Sequence, residues 1–283
     1  MSAWQEAADG VLVRRYQPLD VNICVVRGRD GLLVVDTRSS PVEAAQIEAD
    51  LRQLGAGPVR CVVNTHAHFD HTFGNQHFGP GSSLDVPIYG HHLVPAHLDE
   101  YERPRLAAWH DGTGGEPARD WGGMAITPPT HLVQSPQSLD LGGRDVELLP
   151  LGRGHTDNDL VIHVPDVRTW IVGDVVEESG PPMYGSGCFP LEWPATLARL
   201  LEEIDPSDVV VPGHGLPVSR DFVADQLADL ARVAARARQL YDAGATVEEA
   251  LNDNGGWPFP AEGLELAVAR AFADLGIQTR PTP

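Results

Sequence analysis

A histidine-rich segment is the part of this sequence best suited to chemistry. Residues 65–71 read THAHFDH and follow directly on the apolar stretch Val59–Val63. Within six residues the segment supplies three imidazoles and one carboxylate, which belong to His66, His68, Asp70 and His71. Nitrogen and oxygen donors gathered at one point are what a divalent transition metal requires, and zinc above others. We interpret the segment as a metal-binding loop at the end of a strand.

Three more candidate ligands follow predicted strands, each directly after a glycine. They occur in the pairs Gly154-His155, Gly173-Asp174 and Gly213-His214. Glycine permits a tight turn and a close approach of the backbone, and histidine and aspartate both bind zinc. We therefore expect these strand ends to contribute to the same metal site as residues 65–71.

The elements that must position these residues alternate between strands and helices. Apolar runs predict strands over 21–26, 32–35, 59–63, 86–89, 146–151, 160–164, 169–172 and 209–211. An N-cap, an N1 proline and a capping-box glutamate in residues 40–43 predict a helix that ends near Leu54, and further helices are predicted near 196–203, 223–240 and 264–275. Residues 111–130, rich in glycine and proline, predict a long irregular loop. The pattern indicates a layered α/β protein.

The composition limits the domain organisation and the partners. The chain has 283 residues, of which 42% are hydrophobic and 21% charged, as is typical of a soluble globular protein. We expect one domain over residues 1–283, with 219–283 a helical C-terminal extension packed on it. The formal charge of −20 disfavours nucleic acid and anionic membrane surfaces as partners. A homo-oligomer is compatible with the sequence, which does not indicate one.

The basic residues exclude several enzyme classes. All 20 are arginine, and the chain contains no lysine. A phosphate-loop nucleotidase, a lysine-dependent kinase, a Schiff-base enzyme and a pyridoxal enzyme each need a lysine at the chemical centre. These classes are therefore excluded.

The cysteines and the N-terminus bear on the compartment. Cys24, Cys61 and Cys188 are widely spaced and form no C-x-x-C pair, so a disulfide framework is not expected. The first residues carry neither a basic nor an apolar region of a signal peptide, and no apolar run approaches the length of a membrane span. We expect a cytoplasmic protein.

The order of these motifs resembles the metallo-β-lactamase superfamily over about Val21 to Gly215. The resemblance implies an αββα four-layer sandwich of two mixed β-sheets flanked by helices, with a dinuclear metal site along one edge. It further implies that one metal is held by His66, His68 and His155, the other by Asp70, His71 and His214, and that Asp174 bridges both. Secreted β-lactamases of this superfamily carry a cysteine near position 174, so Asp174 resembles the thioesterase, lactonase and phosphodiesterase branches instead.

The resemblance implies a hydrolase with two Zn²⁺ ions, and iron or manganese would suit the same ligands. Water between two such ions loses a proton near neutral pH and attacks a small-molecule ester, lactone, thioester or lactam. In the family the residue matching Asp70 is both a ligand and the group that orients the nucleophile and accepts a proton, which makes Asp70 the candidate catalytic residue. Thr65 is a candidate for a hydrogen bond to a ligand.

Three alternatives compete with this hydrolase. A mononuclear iron oxygenase of the persulfide dioxygenase type resembles the same fold and uses the equivalents of His66, His155 and Asp174. Nucleic-acid processing is disfavoured by the charge, and a non-enzymatic binding module by the complete ligand set. Metal analysis separates the first alternative from the hydrolase.

Substrate contacts are less well marked in the sequence. Residues 180–185 follow Asp174 closely, which makes Met183 and Tyr184 candidates for contact with the substrate. Trp109, next to the long loop, is a third candidate. Which small molecule binds is left open by the sequence.

Overall fold

The first sheet carries the histidine-rich segment. A computed structural model of the protein describes residues 4–113, 121, 123–253 and 255–278. Within these ranges a seven-stranded sheet has the order β1-β2-β3-β4-β5-β6-β7. Its strands are β1 Gln5–Ala8, β2 Val11–Tyr16, β3 Val21–Gly28, β4 Gly31–Val35, β5 Val59–Val63, β6 Ile88–His91 and β7 His131–Val133. Strands β1 to β4 pair antiparallel, whereas β4 to β7 are parallel.

The second sheet carries the later candidate ligands. Its strands are β8 Gln137–Asp140, β9 Asp145–Leu149, β10 Val161–Val164, β11 Thr169–Gly173 and β12 Val209–Pro212. Their order in the sheet is β12-β11-β10-β9-β8. Strands β11 and β12 are parallel, so their carboxyl ends, which precede Asp174 and His214, lie at the same edge.

Helices connect and cover the sheets. They are α1 Pro41–Gln53, α2 Phe69–Thr72, α3 Asn75–Phe78, α4 Val94–His97, α5 Arg103–His110, α6 Trp193–Glu203, α7 Arg220–Asp242, α8 Val247–Leu251 and α9 Glu265–Gln278. A π-helical turn over Leu98–Glu102 joins α4 to α5. Helix α1 begins as its sequence predicts, since the Ser40 side chain accepts a hydrogen bond from the Glu43 amide at 3.2 Å.

The apolar side chains form three layers of core. Between the two sheets, Val26 and Val35 pack with Leu148 and Ile162. Helix α1 covers the outer face of the first sheet, and α6, α7 and α9 cover the outer face of the second. This arrangement confirms the predicted αββα sandwich of two mixed sheets.

The structure also bears on the predicted loop, on membrane-spanning helices and on the cysteines. Of the predicted loop over 111–130, residues 114–120 and 122 lie outside the described residues, and the remaining ones form neither helix nor strand. In the part of the chain that is described, no helix is both long and apolar enough to cross a bilayer. The three cysteines are buried and free.

Candidate metal centre

The structure brings all seven predicted ligands to one place at the edge of the two sheets. Their imidazole nitrogens and carboxylate oxygens form overlapping groups whose members lie within 4.8 Å of one another. All seven come from the loops after β5, β9, β11 and β12 or from helix α2. These residues are His66, His68, Asp70, His71, His155, Asp174 and His214.

Local backbone features hold the later strand ends against the histidine-rich loop. The Asn22 side-chain amide donates to the carbonyls of Pro212 and Gly215 at 2.9 and 2.8 Å, and so fixes the turn that carries His214. Gly213 packs so closely on Asp174 that a Cβ at this position would lie 1.8 Å from the carboxylate Oδ1. Glycine is therefore required at residue 213 by space rather than by backbone conformation.

Three imidazoles form the first group. His68 Nδ1 lies 3.1 Å from His66 Nε2 and 2.9 Å from His155 Nε2. Two ligands of a tetrahedral zinc ion, each about 2.0–2.1 Å from the metal, are separated by about 3.3 Å. The three nitrogens are therefore spaced approximately as a shared metal ion requires.

Two imidazoles and a carboxylate form the second group. His71 Nε2 lies 3.3 Å from His214 Nε2, and Asp70 Oδ2 lies 3.3 Å from His214 Nε2 and 3.6 Å from His71 Nε2. These separations also suit one metal ion with mixed nitrogen and oxygen ligands.

Asp174 lies between the two groups. Its Oδ2 is 3.7 Å from His66 Nε2 and 3.6 Å from His155 Nε2, while its Oδ1 is 3.4 Å from His71 Nε2. Oδ1 is buried and has no hydrogen-bond partner among the described residues. A buried carboxylate oxygen without a partner is costly, and a cation held by the neighbouring ligand group would satisfy it.

The outer ring nitrogens orient the imidazoles. His155 Nδ1 donates to the Met183 carbonyl at 3.0 Å, and His214 Nδ1 donates to the Leu19 carbonyl at 2.8 Å. His68 instead contacts the Ser186 carbonyl through Nε2 at 2.9 Å. In the neutral form each imidazole has one N–H, so these bonds would then leave the lone pair of the other nitrogen facing the cluster.

The metal-free cluster divides into neutral and protonated histidines. Burial lowers the pKa of His155 to about 4 and that of His66 well below its usual value, so both are neutral. For His214, burial is outweighed by the Asp174 and Asp70 carboxylates, which raise its pKa to about 12. A metal ion must displace the proton at His214, so metal affinity should rise with pH.

One residue of this centre was missed at the sequence level. Asp36 follows β4, and its Oδ2 accepts from His71 Nδ1 and from Thr65 Oγ1, both at 2.8 Å, while its Oδ1 accepts from the Thr65 amide. Thr65 Oγ1 also lies 3.1 Å from His66 Nδ1. The available signal was an aspartate directly after an apolar strand, as at Asp174, but without the neighbouring glycine.

A cleft of about 370 Å³ opens onto the centre. Its described lining includes Asp70, Asp174 and His214 of the centre, with Leu19, Phe69, Arg105, Glu177, Met183 and Ser186 among the other lining residues. The cleft is therefore the place where a small molecule would meet the metal ligands.

Of the three predicted substrate contacts, only Met183 lines this cleft. The Tyr184 side chain is buried and packs on Trp193, with ring centroids 5.2 Å apart. The Trp109 ring stacks on the Trp121 ring, with centroids 4.5 Å apart. It also packs edge-to-face on the Phe69 ring, with centroids 5.0 Å apart. Tyr184 and Trp109 therefore shape the surroundings of the cleft without facing it.

Comparison of the sequence with protein families gives a match over most of the chain, and the described fold and ligand positions agree with it. The family model of the metallo-beta-lactamase superfamily matches residues 16–214. The chain belongs to this superfamily. Sequence relatives include the acyl-coenzyme A thioesterase MBLAC2 of Gallus gallus, 29% identical over 208 residues that cover 68% of this chain and 72% of the relative. Such relatives confirm the predicted class, a hydrolase of this superfamily.

Alkylsulfatases and a solved metallo-beta-lactamase are further relatives and structural neighbours of this chain. The linear primary-alkylsulfatase of Pseudomonas sp. is 25% identical over 229 residues, which cover 69% of this chain and 41% of the relative. The solved inverting sec-alkylsulfatase from Pseudomonas sp. superposes over 100% of this chain and 52% of its own, with a TM-score of 0.75 and 18% identity. The solved metallo-beta-lactamase from Pontibacter korlensis gives a TM-score of 0.65 at 18% identity, over 81% of this chain and 98% of its own. This chain thus spans about half the length of the alkylsulfatases that it matches.

Proposed function

We propose that this protein is a dinuclear zinc hydrolase that acts on a small-molecule ester, thioester, lactone or lactam. The observation that carries the proposal is the pair of ligand groups that share Asp174, whose Oδ1 is buried without a hydrogen-bond partner among the described residues. One ion would be held by His66, His68 and His155, and the other by Asp70, His71 and His214, with Asp174 common to both. Bound there, divalent ions would supply Lewis-acid chemistry and lower the pKa of a water molecule.

The residues of the chain contribute orientation and proton transfer. The Asp70 carboxylate belongs to the second ligand group and lines the cleft, so it can orient an attacking water and accept its proton. Leu19, Phe69 and Met183 provide apolar surface that excludes bulk water around a bound acyl group. These roles need no residue outside the cleft.

Metal analysis tests the proposal first. Protein purified without added metal should contain two zinc ions per chain, whereas the mononuclear oxygenase alternative requires one iron. Hydrolysis should then be measured on a panel of activated esters, a thioester, a lactone and a β-lactam, with and without a chelator. Loss of all hydrolysis with the chelator and its return with zinc would support the proposal, and one iron per chain would contradict it.

Sulfate-ester hydrolysis is a second candidate. It is favoured by the similarity to the alkylsulfatases, of which one is 25% identical to this chain. Release of sulfate from dodecyl sulfate, measured beside the acyl panel on the same preparation, separates the two substrate classes.

A further inference from the structure

Among the described residues that line the cleft of this acidic protein, one is an arginine. Arg105 on α5 lines the cleft together with Asp70 and Asp174, and no other arginine belongs to its described lining. The chain has no lysine and a formal charge of −20. A cation therefore occupies the cleft wall of a molecule whose overall charge repels anions.

Arg105 is held in place by surrounding side chains. Its Nε lies 3.0 Å from Oε2 of Glu102, a carboxylate with no exposed surface, and its Nη2 donates to Ser186 Oγ at 2.8 Å. The guanidinium also lies 5.7 Å from the Phe69 ring centroid and 5.8 Å from that of Trp109. An arginine fixed in this way has lost part of its side-chain entropy before any ligand binds, which favours recognition.

The Arg105 guanidinium lies close to the metal centre, and some of its N–H donors have no partner among the described residues. Ser186 Oγ, which accepts from Arg105, lies 3.2 Å from His68 Nε2, so one hydroxyl group separates the guanidinium from a candidate metal ligand. The Arg105 side chain is 32% exposed. No hydrogen bond to its Nη1 is found within the described residues, which leaves donors for a group in the cleft.

We propose that Arg105 forms a subsite for an anionic group of the substrate. The substrate would then carry a carboxylate or sulfate group near the bond that is broken. This inference rests on the proposed function, because it names the substrate class of the same cleft. Glu102 and Ser186 are positioning residues that aim the guanidinium. The planar fork of arginine donates to such anions in a bidentate manner.

Matched esters test the subsite. The 4-nitrophenyl monoesters of succinate, glutarate and adipate are compared with 4-nitrophenyl butyrate, valerate and hexanoate, which have the same chain lengths but end in methyl. The wild type should prefer the acid of at least one pair in kcat/KM. Arg105→Gln should lose that preference about tenfold or more through KM, whereas Arg105→Lys should keep part of it. In the same series 4-nitrophenyl sulfate shows whether the anion recognised is the reacting group itself.

The control removes a charge from the same helix. Arg103 is exposed, pairs with Asp99 and does not belong to the described cleft lining. Arg103→Gln should keep the wild-type preference, and metal content should be equal in all variants. Equal preference in Arg105→Gln and wild type, for both the carboxylate and the sulfate esters, would overturn the inference while leaving the proposed hydrolase intact.

A binding measurement covers two further cases. Removing Arg105 alone leaves the buried Glu102 without its arginine partner, which can destabilise the fold, so the double variant Glu102→Gln/Arg105→Gln is made as well. Calorimetric titration of the zinc-loaded protein with glutarate and with valerate needs no turnover. Tighter binding of glutarate that is lost in the double variant supports the subsite even if no ester is hydrolysed; equal binding in both proteins overturns it.

Discussion

At the residue scale, Asp70 lies both in the second ligand group and in the cleft. Asp70→Asn keeps an oxygen that can touch a metal but removes the ability to accept a proton. We expect kcat to stay lower by roughly 10²–10⁴-fold at saturating zinc, the range typical of a general base. Steady-state kinetics at rising zinc concentration measure this, and a near-normal kcat restored by zinc would leave Asp70 as a ligand only.

Asp36 acts on the centre through His71 and Thr65, to both of which it is hydrogen-bonded. Asp36→Asn preserves shape, and asparagine tolerates the positive φ of 65° found at this position. We expect zinc affinity to fall about 10–100-fold, as for other residues that orient a ligand. Chelator competition measures the affinity, with the exposed Asp225→Asn as control. Unchanged affinity in Asp36→Asn would show that His71 is oriented without this carboxylate.

At the element scale, the turn after β12 is the tightest part of the site. In Gly213→Ala the new Cβ would meet Asp174 Oδ1 at 1.8 Å, so the carboxylate must move away from the cluster. We expect at least a tenfold loss of metal affinity. Gly180→Ala adds the same methyl group where nothing lies within 4 Å and should bind metal normally. Metal titration of both variants checks this; normal affinity in Gly213→Ala would mean that Asp174 is not needed in its observed position.

Asp159, in the loop before β10, should make the stability of the folded protein depend on pH. Asp159 accepts hydrogen bonds from the Thr156 amide and hydroxyl, and burial raises the pKa of Asp159 to about 8 from an ordinary 3.8. The folded state thus holds a proton that the unfolded chain releases above about pH 4, so this contribution to stability is lost as pH rises toward 8.

Asp159→Asn should remove that dependence. Between pH 5 and pH 8 the stability of the wild type should fall relative to that of Asp159→Asn, whereas Asp225→Asn should follow the wild type. Denaturant unfolding of the chelator-treated proteins measures the difference. A constant gap between wild type and Asp159→Asn at both pH values would contradict a raised pKa at Asp159.

The apolar strands and the long helices could be predicted from the sequence, whereas the partly polar strands and the short helices could not. The apolar run 21–26 and the cap at Ser40 led to β3 and α1 because periodicity and capping are local signals. Strands β1 and β2 were missed because β1 is exposed at its start and β2 ends in two arginines and a tyrosine. The turn over Leu98–Glu102 depends on tertiary packing and has no pattern of its own.

The ligands of the candidate site were predictable for a different reason. Each one is a zinc-binding residue type in a segment that follows a strand, and parallel pairing brings the ends of β5, β11 and β12 to one edge. The positions of Tyr184 and Arg105 were not predictable, because which side of a loop or a short helix faces the cleft depends on packing between distant segments. The seven predicted ligands thus lie together, and their role in binding metal stays a prediction. On the cleft wall, Met183 was expected from the sequence and Arg105 was not.

At the scale of the whole molecule, the C-terminal helices share the core of the second sheet. Val223 and Leu230 of α7 and Val268 of α9 pack in the same apolar cluster as Trp170 and Leu197. The expected single domain, with residues 219–283 as an extension, stays a prediction. A truncated chain tests this prediction. Because α7 and α9 pack on the second sheet, a chain that ends before Ser219 should expose this apolar surface and aggregate.

The net charge of −20 acts on the same anions that Arg105 is proposed to hold. Two divalent ions would offset only a small part of it, so long-range repulsion should slow the approach of an anionic ester at low salt. The Debye length falls from about 30 Å at 0.01 M to about 8 Å at 0.15 M salt, which screens distant charges more than a partly buried contact. We expect kcat/KM for the preferred dicarboxylate monoester to rise several-fold over this range, while that of its methyl-ended partner stays constant. Stopped-flow measurement of both esters at constant pH checks this. A fall of kcat/KM with salt for the anionic ester would show that the field at the cleft mouth is positive, set by the metals and Arg105 rather than by the molecule as a whole.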